Sequence, residues 1–233
     1  MSPWPGVGLV LGVLGASVAL LHLYQQRLQP PAEWVRKLFH MVGAAIGLAL
    51  PWLFDSVWPV ALLGGVALLG LLAVRCSPRL QAGVGSVLHG VGRHSLGDLF
   101  FPVGLCLVFV LAGGDRLRVA VALLPLMLAD PAAALVGLRY GRHRYRVPGG
   151  DKSVEGSAAF FVVAFGCAAI PLVGAGGGLP SLAAIAAFAL TLTVVEALSS
   201  RGLDNLLVPL AALLAFDRWL IIGATRPPLA LLE

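Results

Sequence analysis

Apolar stretches of about 20 residues recur from one end of this chain to the other, with charge confined largely to the segments between them. That is the length of helix that crosses a bilayer. Inside a bilayer there is no water to satisfy backbone N–H and C=O groups, so each stretch must satisfy its own, as a helix does. The pattern predicts an all-α, polytopic integral membrane protein with about eight transmembrane helices, near residues 5–24, 38–54, 57–74, 98–113, 118–138, 156–174, 181–199 and 204–222. Composition agrees: 59% of residues are hydrophobic and 12% charged, about half the charged fraction of a soluble domain, and the mean hydropathy is +0.93. No stretch is long enough for a separate soluble domain, so residues 1–233 are expected to form one membrane-embedded unit. The first span has no basic residue before it and is expected to be a permanent anchor rather than a removable leader.

The net charge of +5 is informative through its distribution, and it is not a nucleic-acid signal. Twelve basic residues (Arg27, Arg36, Lys37, Arg75, Arg79, Arg93, Arg139, Arg142, Arg144, Arg146, Lys152 and Arg201) fall in one set of loops, and four (Arg116, Arg118, Arg218 and Arg226) in the other. The positive-inside rule then places the first set in the cytoplasm and both termini outside. Cys76, Cys106 and Cys167 are isolated and lack metal-ligand spacing, so they are expected to be small residues of the apolar spans. The glycine run 174–178 is expected to be a short turn between spans.

Four stretches carry polar residues that a lipid-facing helix does not need, and all four map to the cytoplasmic face. In Arg36-Lys37-Leu38-Phe39-His40, the arginine and histidine are four residues apart on one helix face. A membrane-surface anchor explains Arg36 and Lys37 but not His40. In Gly92-Arg93-His94-Ser95-Leu96-Gly97-Asp98, Ser95 or Asp98 is placed to cap the following helix. The third stretch, 126–157, holds Asp130 within an apolar run, followed by Pro131 and a loop with Arg139, Arg142, Arg144, Arg146 and Lys152. An ionisable residue at membrane depth marks a functional site by default; the plainer reading is a structural aspartate paired with an arginine. Lys152-Ser153-Val154-Glu155-Gly156 reads as a helix start capped by Ser153, a place where phosphate binds readily. It lacks Walker A spacing and is expected to have no strand before it. In the fourth stretch, 194–209, Glu196 lies inside a span and Asp204 and Asn205 open the next. Such oxygen ligands suit Mg²⁺; the plainer reading is a cap at Asp204 and a Glu196–Arg201 pair.

Together, Asp130, Glu155, Glu196 and Asp204 are expected to converge with Lys152 and several arginines. Phosphoryl transfer needs this mixture, in which cations neutralise phosphates, carboxylates hold a metal and a base receives the alcohol proton. At this point RKLFH at 36–40, DPAAALVGLRYGRHR at 130–144, KSVEGS at 152–157 and VEALSSRGLDNLLVPL at 195–210 resemble the CTP-dependent lipid kinases. That family includes dolichol kinase, phytol kinase and the yeast-type diacylglycerol kinase, and is related to the phosphatidate cytidylyltransferases. The resemblance covers about residues 33 to 210 with the motifs in order. GRHSLGDLFFPVG at 92–104 is closer to the dolichol-kinase side.

The resemblance implies transfer of the γ-phosphoryl group of CTP to a lipid alcohol, with Mg²⁺ or another divalent cation. It makes Asp130, Lys152, Ser153, Glu155, Gly156, Glu196, Asp204 and Asn205 the nucleotide, metal and catalytic set. The resulting expectation is a single catalytic domain acting on a polyprenol or dolichol-type isoprenoid. Lys152, Ser153, Gly156, Asn205 and the arginines at 139, 142 and 144 would bind nucleotide. Asp130, Glu196 and Asp204 would ligate metal, and Asp130, Glu155 or Glu196 would act as base. Arg36, Lys37, His40, Arg93, Ser95 and Asp98 form a further polar set. The alcohol would come laterally from the lipid, and the protein would reside in a bacterial or archaeal cytoplasmic membrane with its active-site loops in the cytoplasm. Phytol or diacylglycerol kinases of the same family, a cytidylyltransferase-like enzyme and a small-molecule transporter are the rivals. Clustering of polar groups at one face, rather than at the midplane, favours an enzyme over a transporter.

Overall fold

The computed structural model describes residues 2–85, 96–148, 150–174 and 181–221. The chain is helical almost throughout, and a helix covers each predicted apolar run. These helices are α1 (Trp4–Leu28), α2 (Ala32–Leu53), α3 (Val57–Cys76), α4 (Gly97–Ala112), α5 (Arg116–Tyr140), α6 (Val154–Gly174), α7 (Leu182–Leu198) and α8 (Asp204–Ala215). By length and composition, α1, α3, α5 and α6 can each cross a membrane, and α4 and α7 are shorter apolar helices. Apolar side chains point outward over much of the surface: Leu69 is 68% exposed, Leu182 73% and Leu214 73%. A water-soluble monomer does not present apolar surface on this scale, whereas lipid accepts it without cost.

Among the described residues one element departs from an all-helical chain. Residues Arg144–Val147 (β1) and Gly150–Ser153 (β2) pair as an antiparallel hairpin. Tyr145 lies opposite Lys152, so both project from the same face of the ribbon. β2 runs directly into α6, so a strand does precede the Lys152–Gly156 helix start, contrary to expectation. The mixed polar and β-branched content of so short a ribbon gives no alternating run to read.

The helices form two layers. The main core lies among α4 to α8, around Leu123, Phe160, Phe188, Leu192 and Val208. The outer layer, α1 to α3, packs on α4 through Val7, Val10, Leu50, Phe54, Val60, Leu63 and Phe109. Small residues set the helix spacing. A Cβ on Gly104 of α4 would stand 2.6 Å from the backbone oxygen of Asn205, and one on Gly64 of α3 would meet the Cys106 thiol. Cys106 and Cys167 lie within the bundle as expected, but Cys76 at the end of α3 is exposed.

Within α5 the turn Pro125–Ala129 widens, and the Asp130 N–H bonds to the Pro125 carbonyl five residues back. Pro131 follows and donates no N–H of its own. Such widened turns are rare and are found often at functional sites. The reversal between α7 and α8 uses Gly202 at φ 88°, a conformation that suits glycine. At one end of the bundle Arg118 pairs with Asp217 at 2.5 Å; the polar motifs gather at the other end. The run 175–178, Arg93, Ser95 and Arg226 lie outside the described residues.

The close approach of α4 and α8 gives a stability test. Gly104→Ala is expected to lower unfolding free energy in detergent by about 1–3 kcal/mol through overpacking. Gly65→Ala, where an added Cβ meets nothing within 4 Å, is expected to be neutral. Thermal or denaturant melts of the two variants make the comparison.

Candidate active site

The site is built from the hairpin, from the ends of α2, α3, α4, α6, α7 and α8, and from the middle of α5, where Asp130 follows the widened turn. Lys37, in the second turn of α2, donates to Asp130 Oδ2 of α5 at 2.6 Å, and both residues are buried. Lys152, at the end of the hairpin, reaches Glu196 of α7 at 2.7 Å and also donates to the Glu196 backbone carbonyl. The two ion pairs lie within electrostatic range of each other, and Asp204 at the start of α8 is close enough to feel Asp130, Lys37 and Lys152. Among the described residues Glu196 Oε2, which is buried, has no hydrogen-bond partner.

Around this centre the neighbouring elements are tied by polar contacts. The Asn205 side chain is buried and donates to the Gly97 carbonyl at 2.7 Å. The Leu96 N–H bonds to the Arg201 carbonyl. Arg75, at the end of α3, grips Asp98 at 2.5 and 3.1 Å. Of the expected set, Asp130, Glu196, Asp204 and Lys152 lie within electrostatic range of one another, whereas Glu155 is paired with His143 at the hairpin and Arg142, Arg144 and Arg146 are exposed.

Several plainer expectations are corrected. Lys37 is not a surface anchor but the buried partner of Asp130, a position foreseen for an arginine. Its spacing of three from His40 was the available signal, since residues three apart share a helix face. Glu196 pairs with Lys152 rather than Arg201. Asp98 is held by Arg75, and Leu96 occupies the N-cap of α4 without a side-chain cap. Leu203 is likewise the N-cap of α8, and Asp204 instead accepts the Asn205 N–H.

Ser153 does cap α6, its Oγ accepting from the Gly156 N–H at 3.1 Å. It is buried in a crevice of small residues, where a Cβ on Gly137 would stand 3.0 Å from Ser153 Oγ and one on Gly156 2.9 Å from the Ala133 carbonyl. Glu155 is engaged at the edge of the hairpin by the His143 ring at 2.7 Å and by the His143 N–H. Tyr145 meets Ser157 at 2.7 Å. These contacts seat the hairpin on α6 with Lys152 turned inward. Arg142, Arg144 and Arg146 are exposed, and Arg139 bonds Tyr140.

Beside the charged centre runs a cavity of about 360 Å³ between α1, α2, α3 and α4. Its walls are apolar along most of their length, and Arg36, His40, Asp98 and Asn205 mark one end. At the other end Val10, Leu50, Val60 and Leu63 belong to the outer hydrophobic cluster. Sequence reading missed this cavity, because its wall residues are indistinguishable from lipid-facing ones until the helices are placed.

The fold and site define a helical membrane protein with paired charges buried at one end and an apolar cavity opening beside them. The chain is 37% identical to the phytol kinase of Synechocystis sp. over 224 residues, covering 91% of this chain and 90% of that protein. No protein-family model matches the chain, and no solved structure does. Identity at that level over nearly the full length of both proteins shows that the chain belongs to the lipid-alcohol kinase family that includes phytol kinase.

The Lys37–Asp130 pair carries a prediction independent of activity. Lys37→Met strands a buried carboxylate and is expected to cost about 3–5 kcal/mol. Adding Asp130→Asn should recover most of that loss. A double-mutant cycle on unfolding free energies measures the coupling, and additive effects would show that the pair does not hold the site together.

Proposed function

We propose that this protein transfers the γ-phosphoryl group of CTP to a twenty-carbon isoprenoid alcohol such as phytol. The observation that carries this reading is the apolar cavity whose polar end, at Arg36, His40, Asp98 and Asn205, adjoins the buried charge cluster, which puts room for a lipid tail near groups suited to phosphate. The cavity follows α2 from Arg36 to Leu50, fourteen residues or about 20 Å at 1.5 Å per residue. An extended hydrocarbon advances about 1.25 Å per carbon at ordinary C–C lengths and angles. About sixteen carbons fit along that length, the main-chain length of phytol, and residues of the outer hydrophobic cluster lie at the far end. The name of the Synechocystis relative supports the same choice over the polyprenol expected from residues 92–104.

In this reading the triphosphate meets the exposed Arg142, Arg144 and Arg146 first and Lys152 next. Lys152 leaves Glu196 for the phosphates, exchanging one anionic partner for another. Lys37 holds Asp130 in place to receive the alcohol proton. Ser153, Gly156 and Glu155 shape and seat the hairpin that presents Lys152. The residues fit a divalent cation brought in with the nucleotide: Glu196 has an unpartnered buried oxygen and Asp204 is near. Among the described residues no three such ligands form a ready-made site, which accords with Mg²⁺ held by one or two carboxylates plus substrate phosphates. Such a cation would neutralise charge on the phosphoryl group in flight. We place this end of the bundle in the cytoplasm, with eight membrane crossings, on the basis of the twelve-to-four division of basic residues.

Purified protein incubated with γ-labelled CTP and farnesol, phytol or undecaprenol tests the reading. Label is expected on phytol, less on farnesol and none on undecaprenol. Label recovered as pyrophosphate would instead assign nucleotidyl transfer. Ala67→Phe, which fills the cavity wall, should abolish alcohol phosphorylation while leaving CTP binding intact. Lys152→Ala and Asp130→Asn should each lower kcat/KM by at least 100-fold, about 2.7 kcal/mol of transition-state stabilisation; normal turnover in either would remove it from the mechanism.

A further inference from the structure

A cavity walled by four helices has four seams, and three of these are closed by close approach. A Cβ on Gly43 or Gly47 of α2 would stand 2.7 Å from Phe101 or Leu105 of α4, and one on Gly64 of α3 would strike the Cys106 thiol of α4. α1 and α2 meet at Gly6 and Phe54, where an added Cβ would stand 3.0 Å from the ring. At their other ends these two helices are joined by residues 29–31 alone.

The seam between α1 and α3 is different. It is pinned at the end away from the charges, where Trp4 and Trp58 meet edge to face with centroids 5.6 Å apart. There Val7 and Val10 share a cluster with Val60 and Leu63. Farther along, Gly15 of α1 and Gly70 of α3 both line the cavity and both are exposed, whereas every other lining residue is buried or half-buried. Among the described residues nothing lies within 4 Å of a Cβ built on either glycine. Gly15 comes eleven residues after Trp4 and Gly70 twelve after Trp58, so both stand about 17 Å along their helices from the pinned end. The cavity therefore reaches the outer surface at one level, between two glycines that face each other's helix across a gap.

We propose that this gap is the portal through which the isoprenoid alcohol passes from the bilayer into the cavity. This rests on the cavity being the lipid site. A route through water would expose the whole tail, at a cost that grows with each methylene. The surface beside the gap is apolar and exposed at Leu11, Val66 and Leu69, so the tail need not leave lipid to reach it. Tryptophan favours the membrane interface. With Trp4 and Trp58 there, a point about 17 Å inward lies past the middle of a hydrocarbon core of about 30 Å. The portal thus opens in the leaflet nearer the charged centre.

A removable plug tests this. Gly15→Cys and Gly70→Cys proteins in phosphatidylcholine vesicles are modified with a bulky methanethiosulfonate and later reduced. Wild type treated alike controls for the exposed Cys76. Gly12→Cys controls for a modified α1, since Gly12 is exposed but lies off the cavity wall. The readout is the rate at which labelled phytol in the vesicles binds the protein, without CTP. Modification of Gly15→Cys or Gly70→Cys is expected to slow binding at least tenfold, and reduction to restore it. The two controls should stay within twofold of untreated wild type. Undiminished rates in both modified variants, or equal slowing in Gly12→Cys, would overturn the portal even if the wild type phosphorylates phytol. Plug-sensitive binding in a protein that phosphorylates no alcohol would uphold the portal and sink the kinase reading instead. A wild type that binds no phytol would overturn the portal and the lipid cavity together.

Discussion

Two lysine–carboxylate pairs inside an apolar bundle are the constraint on which the rest of this structure depends. A lone buried charge is strongly unfavourable, and removing one member of a buried pair leaves that cost uncompensated. Lys37 and Asp130 therefore fix α2 against α5, and Lys152 and Glu196 fix the hairpin against α7. Asp204 adds a third carboxylate within range of both lysines, and Arg36 a third cation within range of Asp130. The arrangement is held by opposite charges on four different elements.

The two layers divide the work. The α4–α8 core is tightly filled, and its widened turn before Asp130 sets the direction of that side chain. The α1–α3 layer packs less fully and encloses the cavity. The boundary between the layers brings apolar space and polar groups together, because α4 belongs to both: its Gly97–Asp98 start faces the polar end, and its Phe101 and Leu105 line the apolar wall. The hairpin is small, yet it carries Lys152 inward and leaves three arginines outside, a gradient of basic groups from water to the buried pair. Membership of the lipid-alcohol kinase family gives this geometry its chemical context.

Much of this was determined by sequence alone. Helical class and the positions of the helices follow from apolar runs in a medium that cannot hydrogen-bond the backbone. Asp130 and Glu196 stood out because charge at membrane depth has few explanations, and Ser153 was legible as a cap because capping is a local interaction. Partner choice was not legible. Lys37 finds Asp130 across 93 residues and Lys152 finds Glu196 across 44, distances over which only helix packing decides which charges meet. The hairpin escaped notice because its pairing is cross-strand and its composition that of a basic loop. The cavity exists only after packing: whether a wall residue faces lipid, core or empty space depends on its neighbours.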